Sequence, residues 1–417
     1  MTLEWHAPDR AGDGAPGPRK IRVLYVDYSV GFGGATQSIS LVFRGLEGVE
    51  KFVLTSQEPR IIPLWYPGAT VYRFRTVVNY RSLGRVKAWA RRVVRLGLAQ
   101  VIVQKMVAAL DILAGSYELL RILRIVRRHR IDLIHLNNGF TPPEAMLAAR
   151  VAGIPCIVHL RGFPGWRKAA HSSSYRRVAR TIAISNAVAT SLGFTSIAPT
   201  RITTIYNAVD LDRFEEVAGR RDSERIKWGI GPDDVAMGIF GRVVAWKGQL
   251  EFVRAALEAM RTEPHLKAVI VGDESDAARD YFDEIKRTIA DSGFAHRFVL
   301  TGYQPDVTAL YHAMDVVVHA SIEPEPFGRV VPEGMAARHA VIASDSGGPR
   351  EVITPGVDGL LVPPRDVGAM AEAMVALARD PERRRAMGEQ GYAKAVERFG
   401  IRHIAQEVER VYGEILG

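Results

Sequence analysis

Short apolar segments bounded by turn residues alternate along the whole chain with segments of helical periodicity. Six lie in the first half, at 21–28, 51–56, 131–138, 156–162, 180–185 and 201–207. Six more lie in the second half, at 235–242, 266–273, 297–303, 315–321, 340–344 and 359–364. Strands that alternate with helices are typical of parallel sheets with crossover helices. The pattern therefore predicts an α/β protein with two Rossmann-like domains, whose ligands bind at the carboxyl ends of the strands.

A length of 417 residues is suited to two domains of about 200 residues each. Residues 1–19 are rich in Gly, Pro and Asp and lack the apolar core of a signal peptide, so we predict a disordered tail. The predicted domains cover 20–208 and 233–395, with a linker over 209–232. Residues 396–417 are predicted to form a C-terminal helix that can return to the first domain.

The composition, with 47% apolar and 24% charged residues, is that of a globular protein. The single cysteine, Cys156, excludes a disulfide within the chain and favours a reducing compartment. No stretch reaches the roughly 18 uninterrupted apolar residues of a membrane span. We therefore expect a cytoplasmic protein.

Basic residues are concentrated in one helical segment, 81–130, which has twelve Arg or Lys against two acidic residues, whereas the whole chain has a net charge of +9. Within it, residues 81–104 form a predicted amphipathic helix with Trp89 on its apolar border. The face opposite the apolar residues carries Arg81, Arg85, Arg92 and Arg95. Such a helix can lie on an anionic membrane surface, so we expect a peripheral protein at the inner membrane face, with no nucleic-acid partner. The alternative is an ordinary surface helix that packs on the first domain.

Glycines and cations follow two of the predicted strands. Gly33 and Gly34 precede an amphipathic helix in GFGGATQSIS, where a helix N-terminus and a close backbone can bind phosphate. Arg242 leaves the strand end in GRVVAWKGQLEFV, and Lys247 begins the next helix. An arginine and a lysine at one strand end suit a diphosphate.

Two glutamates and a glycine turn lie near a later strand end. In EPFGRVVPE, Glu325 precedes a turn, and Glu333 follows eight residues later on a predicted helix. Two carboxylates so placed can accept hydrogen bonds from hydroxyls at two parts of a long ligand such as a sugar nucleotide. Gly347 and Gly348 follow the buried strand AVIAS, where the backbone can contact a sugar.

Together, GGATQS, GRVVAWKG, EPFGRVVPEGMAARHAVIAS, SGGPREVI and IYNAVDLDRF resemble the retaining nucleotide-sugar glycosyltransferases of the GT-B fold, family GT4. The resemblance implies two Rossmann-like domains that face an interdomain cleft. It also implies that Arg242 and Lys247 bind the donor pyrophosphate in place of a metal, so no cofactor and no metal are expected. The donor is expected to be a UDP or GDP sugar.

The resemblance assigns further roles to single positions. Glu325 would hold the donor sugar, and Glu333 would bind the ribose hydroxyls. The backbone at Phe327, Gly328 and Arg329 would also hold the sugar, and Gly33 and Gly34 would close over the phosphates. His159 would lie near the transferred sugar, although a lone strand histidine is often structural. Asp210 and Asp212 resemble a metal motif, but we interpret them as turn and cap residues.

The implied reaction transfers a sugar to an acceptor hydroxyl with retention, and the expected acceptor is a glycan or a lipid-linked precursor of a polysaccharide. A small soluble acceptor is an alternative. A nucleotide-sugar epimerase on a similar scaffold is another, although the two glutamates fit it less well. A dinucleotide-dependent oxidoreductase or a nucleotide-binding module is a third, against which the imperfect glycine fingerprint argues.

Overall fold

The computed structural model describes residues 19–28, 34–60, 62–74, 115–140, 142–164, 178–193, 197–273 and 278–417. The chain divides into two compact units. Unit 1 consists of Met1–Ala183, Leu192–Thr203 and Gln406–Gly417, and unit 2 consists of Ile184–Ser191 and Thr204–Ala405.

Unit 1 contains a seven-stranded sheet in the order β3-β2-β1-β4-β5-β6-β7. Its strands are β1 Ile21–Asp27, β2 Val49–Thr55, β3 Thr70–Arg73, β4 Leu133–Leu136, β5 Cys156–Leu160, β6 Arg180–Ala183 and β7 Ile202–Thr204. The pairs from β3 across to β6 are parallel. Every residue of β4 and β5 is buried, as expected for central parallel strands covered on both faces.

The helices described in unit 1 connect these strands. They are α1 Gly34–Gly45, α2 Ile62–Trp65, α3 at 115–129 and α4 Pro143–Ala152. Gly153 ends α4 with a left-handed backbone (φ 70°) that a residue with a side chain seldom adopts. Burial raises the pKa of the Cys156 thiol to about 12, so this thiol at the start of β5 stays protonated.

Unit 2 contains a six-stranded parallel sheet in the order β10-β9-β8-β11-β12-β13. Its strands are β8 Val235–Phe240, β9 Leu266–Val271, β10 Phe298–Leu300, β11 Val316–His319, β12 Ala340–Ser344 and β13 Leu360–Val362. The helices before and between them are α5 Asn186–Thr190, α6 Leu211–Val217, α7 Arg221–Lys227, α8 Gln249–Ala259, α9 Arg279–Ala290, α10 Thr308–His312, α11 Val330–Ala336 and α12 Pro349–Val352.

Three longer helices end the chain, α13 Val367–Arg379, α14 Pro381–Phe399 and α15 Ile401–Leu416. Apolar side chains of α8, α13 and the central strands form one buried core in unit 2. The second half of α15 belongs to unit 1, where the Tyr412 hydroxyl contacts the Tyr25 hydroxyl at 2.8 Å and His135 Nδ1 at 2.6 Å. In the described part of the chain, no helix combines the length and the apolar character needed to cross a bilayer.

The structure corrects the predicted organisation in three places. The predicted linker 209–232 is largely helical and belongs to unit 2, where the buried Arg225 guanidinium forms an ion pair with Asp315 at 3.0 Å. Residues 184–191, predicted in the first domain, also belong to unit 2. Strand β3 was not predicted. The predicted tail up to residue 18 and the predicted membrane helix 81–104 lie outside the described residues.

Candidate functional site

Lys247 and Glu325 form an ion pair in unit 2. Lys247 ends a short 3₁₀ turn, Ala245–Lys247, between β8 and α8, and Glu325 lies in the loop after β11. The Lys247 Nζ atom donates to Glu325 Oε1 at 2.6 Å, and both side chains are mostly buried. The Lys247 ammonium also lies 4.5 Å from the centre of the Trp246 ring, which favours a cation.

Two further donors hold the other oxygen of this carboxylate. Glu325 Oε2 accepts from His319 Nε2 at 2.7 Å and from the Ser321 hydroxyl at 2.9 Å. Burial alone would raise the pKa of the Glu325 carboxyl, but His319 and Lys247 outweigh it and hold this pKa well below its usual range. Because a carboxylate can accept about four hydrogen bonds, one position is left for a hydroxyl of a ligand.

The glycine turn after β12 contacts the backbone of Glu325. The Gly348 N–H donates to the Glu325 carbonyl at 2.8 Å, and Gly347 forms a β-bridge with Glu325. Gly347 has a φ of 64°, and a Cβ atom there would lie 2.3 Å from the Glu325 carbonyl oxygen. Only glycine permits this approach, so the two segments that the sequence analysis assigned to the donor sugar lie together.

Glu333 lies on α11 and is held by two side chains. Its Oε1 atom accepts from Arg329, with Nη2 at 2.8 Å and Nε at 3.2 Å. Its Oε2 atom accepts from the Tyr311 hydroxyl of α10 at 2.8 Å. Burial and the Glu333 carboxylate raise the pKa of this hydroxyl well above its usual value, so Tyr311 stays a donor. The Glu325 carboxylate also raises this pKa.

The other predicted donor-binding residues in unit 2 have different surroundings. Phe327 is buried, with its ring 5.8 Å from that of Tyr206. Gly328 has a φ of 74°, and a Cβ atom there would lie 2.6 Å from Pro349 Cγ. Arg242 follows the carboxyl end of β8 and is exposed, and no side-chain bond joins it to the described residues. The structure therefore gives no direct contact between Arg242 and Lys247.

The predicted residues in the first half lie in unit 1. Gly34 is the first residue of α1, whereas Gly33 lies outside the described residues. His159, near the end of β5, is 1% exposed, and its ring stacks on that of His135 with centres 5.4 Å apart. Burial, with a contribution from the Arg161 charge, holds the pKa of His159 well below its usual range. The ring is therefore neutral at pH 7.

His319, Ser321 and Tyr311 were not predicted from the sequence. His319 and Ser321 lie at and after the carboxyl end of β11, and that position was the one signal that could have found them. Asp210 caps α6 by accepting from the Arg213 N–H at 3.4 Å, as the sequence analysis predicted. Among the described residues, no group of three or more His, Cys, Asp or Glu could hold a metal ion.

A solved structure with high structural similarity matches nearly the whole of this chain, including both parallel α/β units. The crystal structure of Alr3699/HepE of Anabaena in complex with UDP superposes with a TM-score of 0.75 at 22% sequence identity. The match covers 94% of this chain and 100% of that one. The structural class is therefore that of the GT-B fold, as the sequence analysis predicted.

The family follows from the sequence. Residues 220–394 match the model for glycosyl transferases group 1, and residues 84–213 match the model for glycosyltransferase family 4. The chain belongs to the glycosyltransferases of family GT4.

Two curated relatives come from rhizobia. The lipopolysaccharide core biosynthesis mannosyltransferase LpsB of Rhizobium meliloti (strain 1021) is 28% identical over 216 residues, which are 51% of this chain and 61% of the relative. The lipopolysaccharide core biosynthesis mannosyltransferase LpcC of Rhizobium leguminosarum bv. viciae is 31% identical over 215 residues. These residues are 52% of this chain and 60% of the relative. The chain thus spans less than two thirds of the length of these relatives.

Proposed function

We propose that the protein is a retaining glycosyltransferase that moves a sugar from a nucleotide-diphosphate donor to an acceptor hydroxyl. The observation that carries this proposal is the ion pair of Lys247 and Glu325, which lies at the carboxyl edge of the unit 2 sheet against the turn at Gly347 and Gly348. A lysine is suited to a diphosphate, and a carboxylate and a bare backbone are suited to sugar hydroxyls. Family membership supports the same reaction.

In this mechanism the main chemical task is to stabilise the departing diphosphate. Lys247 and Arg242 supply positive charge to it, and the mostly buried Lys247 is the less screened of the two. No side chain acts as a nucleophile, so a phosphate oxygen of the leaving group takes the acceptor proton on the same face of the sugar. Glu325 binds a sugar hydroxyl through its remaining acceptor position, and Glu333 binds the ribose. These carboxylates bind the donor, whereas in glycoside hydrolases one of two carboxyls protonates the leaving group.

Substitution of the ion pair tests this proposal. Lys247→Ala and Glu325→Ala are each expected to lower kcat with a nucleotide sugar by about a hundredfold or more, because each removes charge or alignment at the diphosphate. Glu323→Ala is the matched control, since Glu323 is exposed in the same loop. Turnover is expected to continue in EDTA. Near-normal turnover of either ion-pair variant would refute the site, and a strict need for a divalent ion would refute the metal-free mechanism.

We further propose a lipid-linked or polysaccharide-precursor acceptor at the cytoplasmic face of a membrane. The names of the two rhizobial relatives, both of lipopolysaccharide core biosynthesis, support an acceptor of this kind. The basic segment 81–104 supplies the surface that would bring the enzyme to anionic lipid.

A further inference from the structure

A polar pair lies at the carboxyl edge of the unit 1 sheet. Asn137 directly follows β4 and lies two residues beyond His135, so both side chains are on one face of the sheet. In the register of β4 and β5, His135 pairs with Ile157, so His159 lies beside Asn137 on that face. Asn137 and His159 are 0% and 1% exposed. The carboxyl edge of a parallel sheet is where such folds bind ligands.

The orientation of the Asn137 amide is fixed by Arg161, two residues after His159. Arg161 Nε and Nη2 both lie 3.3 Å from Asn137 Oδ1. Because a guanidinium is only a donor, it selects the oxygen of the amide and turns the nitrogen away. Asn137 Nδ2 is buried and has no hydrogen-bond partner among the described residues.

The His159 ring likewise has both of its nitrogens buried, without a hydrogen-bond partner in the described part of the chain. A neutral imidazole carries one N–H donor and one bare nitrogen that accepts. The neighbouring His135 presents its ring face to His159, while its Nδ1 is bonded to the Tyr412 hydroxyl. The pair of Asn137 and His159 therefore offers N–H donors and one acceptor at a single place.

We propose that Asn137 and His159 together bind a hydroxyl group of a hexose, and that Arg161 is the positioning residue that directs the amide. A hydroxyl oxygen can accept from Asn137 Nδ2 and donate its own proton to the bare nitrogen of His159, so one group bonds to both side chains. The choice of a hexose as the ligand rests on the proposed function. The family resemblance implies a role for His159 alone, so the roles proposed here for Asn137 and Arg161 go beyond it.

The hexose could be that of the donor or that of the acceptor. Both present the same hydroxyl chemistry, so the choice of probe separates them. Nucleotide sugars (UDP-glucose and GDP-mannose) carry the donor hexose, and methyl α-D-glucoside and methyl α-D-mannoside represent an acceptor hexose. The nucleoside diphosphates UDP and GDP lack a hexose and report on the diphosphate site alone.

The test is calorimetric titration of the full chain and its Asn137→Asp variant. An aspartate keeps an oxygen for Arg161 but replaces the amide donor by an acceptor, so a residue that only holds Arg161 would tolerate it. Asn138→Asp, at an exposed neighbour, makes the same change of charge and is the control. Thermal melting shows whether each variant is folded. We expect Asn137→Asp to weaken binding of a hexose-bearing probe at least tenfold and to leave nucleoside diphosphate binding within twofold.

Every outcome bears on the inference. A loss confined to nucleotide sugars assigns the hydroxyl to the donor, and a loss confined to methyl glycosides assigns it to the acceptor. The inference is overturned if Asn137→Asp binds the hexose probes as Asn138→Asp does, or if an attached or free hexose adds no affinity in the wild type. Failure of the wild type to bind any nucleoside diphosphate would instead count against the proposed function.

Discussion

At the scale of single residues, three donors surround the Glu325 carboxylate and leave it little freedom to move. Lys247, His319 and Ser321 come from two separate segments, so the carboxylate also fixes these segments relative to each other within unit 2. Removal of one partner of a buried ion pair costs about 3–5 kcal/mol, since the other charge is then left without compensation. The pair is therefore a structural constraint as well as a proposed binding site.

Stability should report the ionisation of this carboxyl. Because folding lowers the pKa of Glu325, the resulting stabilisation is fully present above the unfolded pKa of about 4.5 and is lost as the pH falls towards the folded value. The difference in the free energy of unfolding between the wild type and Glu325→Gln should therefore shrink as the pH falls below about 4.5. Urea unfolding over this range measures it. A difference that widens as the pH falls would show that the carboxyl is not held ionised.

Lys247, Glu325 and Glu333 were predicted as site residues because the ends of strands and the spacing of the two glutamates can be recognised in the sequence. His319, which lies at the end of an apolar segment that is typical of a buried strand, was not predicted. Its contact with Glu325 depends on a loop that turns back over β11. The contact of Tyr311 with Glu333 joins two helices, and such contacts between elements leave no mark in local spacing.

At the scale of elements, Gly248 sets how α8 begins. Its φ is 73°, and a Cβ atom there would lie 1.9 Å from the carbonyl oxygen of Ala320, which follows β11. The close approach holds the turn that carries Lys247 against the loop that carries Glu325. The ion pair therefore depends on a backbone contact as well as on the two charges.

We expect Gly248→Ala to lower the free energy of unfolding by more than about 2 kcal/mol, since a left-handed backbone costs an alanine about 1–2 kcal/mol before any clash. Gly219→Ala is the matched control, because no atom lies within 4 Å of its added methyl group and its backbone is not left-handed. Urea unfolding of both variants provides the comparison. If Gly248→Ala is as stable as the control, the contact with Ala320 is not tight.

The elements themselves were largely predictable. All twelve predicted strands are present because a buried parallel strand is a continuous apolar run, although most are shorter than predicted. Strand β3 was missed because it is a short edge strand, Thr70–Arg73, with one buried residue. The supposed linker was misread because α6 and α7 are rich in charge, and the burial of Arg225 depends on distant partners such as Asp315.

At the scale of the whole molecule, the proposed membrane attachment can be measured directly. The wild type should sediment with anionic vesicles and be released at high salt. Arg85, Arg92 and Arg95 changed together to Gln should remove roughly 3 kcal/mol of attraction, at about 1 kcal/mol per basic residue, and leave the protein in the supernatant.

The control for this experiment is a variant that loses the same three positive charges in unit 2. Arg383, Arg385 and Arg402 are exposed there, and their joint change to Gln should leave sedimentation unaltered. If the wild type stays in the supernatant with anionic vesicles, the proposed membrane attachment is refuted, and a small soluble acceptor is favoured over a lipid-linked one.

The sequence predicted two domains but not how often the chain passes between them. Apolar segments define sheets, whereas membership of a unit depends on contacts far apart in sequence. Unit 1 is built from three stretches, the last of which is Gln406–Gly417. The buried hydroxyl of Tyr412, from that stretch, forms hydrogen bonds with Tyr25 on β1 and His135 on β4.

This arrangement has a consequence for biosynthesis. A ribosome delivers residues in order, and domains generally fold as units during synthesis, most often the N-terminal one first. Here the second unit has all its residues once Ala405 has emerged, whereas the first still lacks the helical turns that cover Tyr25 and His135. The domain encoded first is therefore the last to be completed, and until then its buried face stays open to chaperones and proteases.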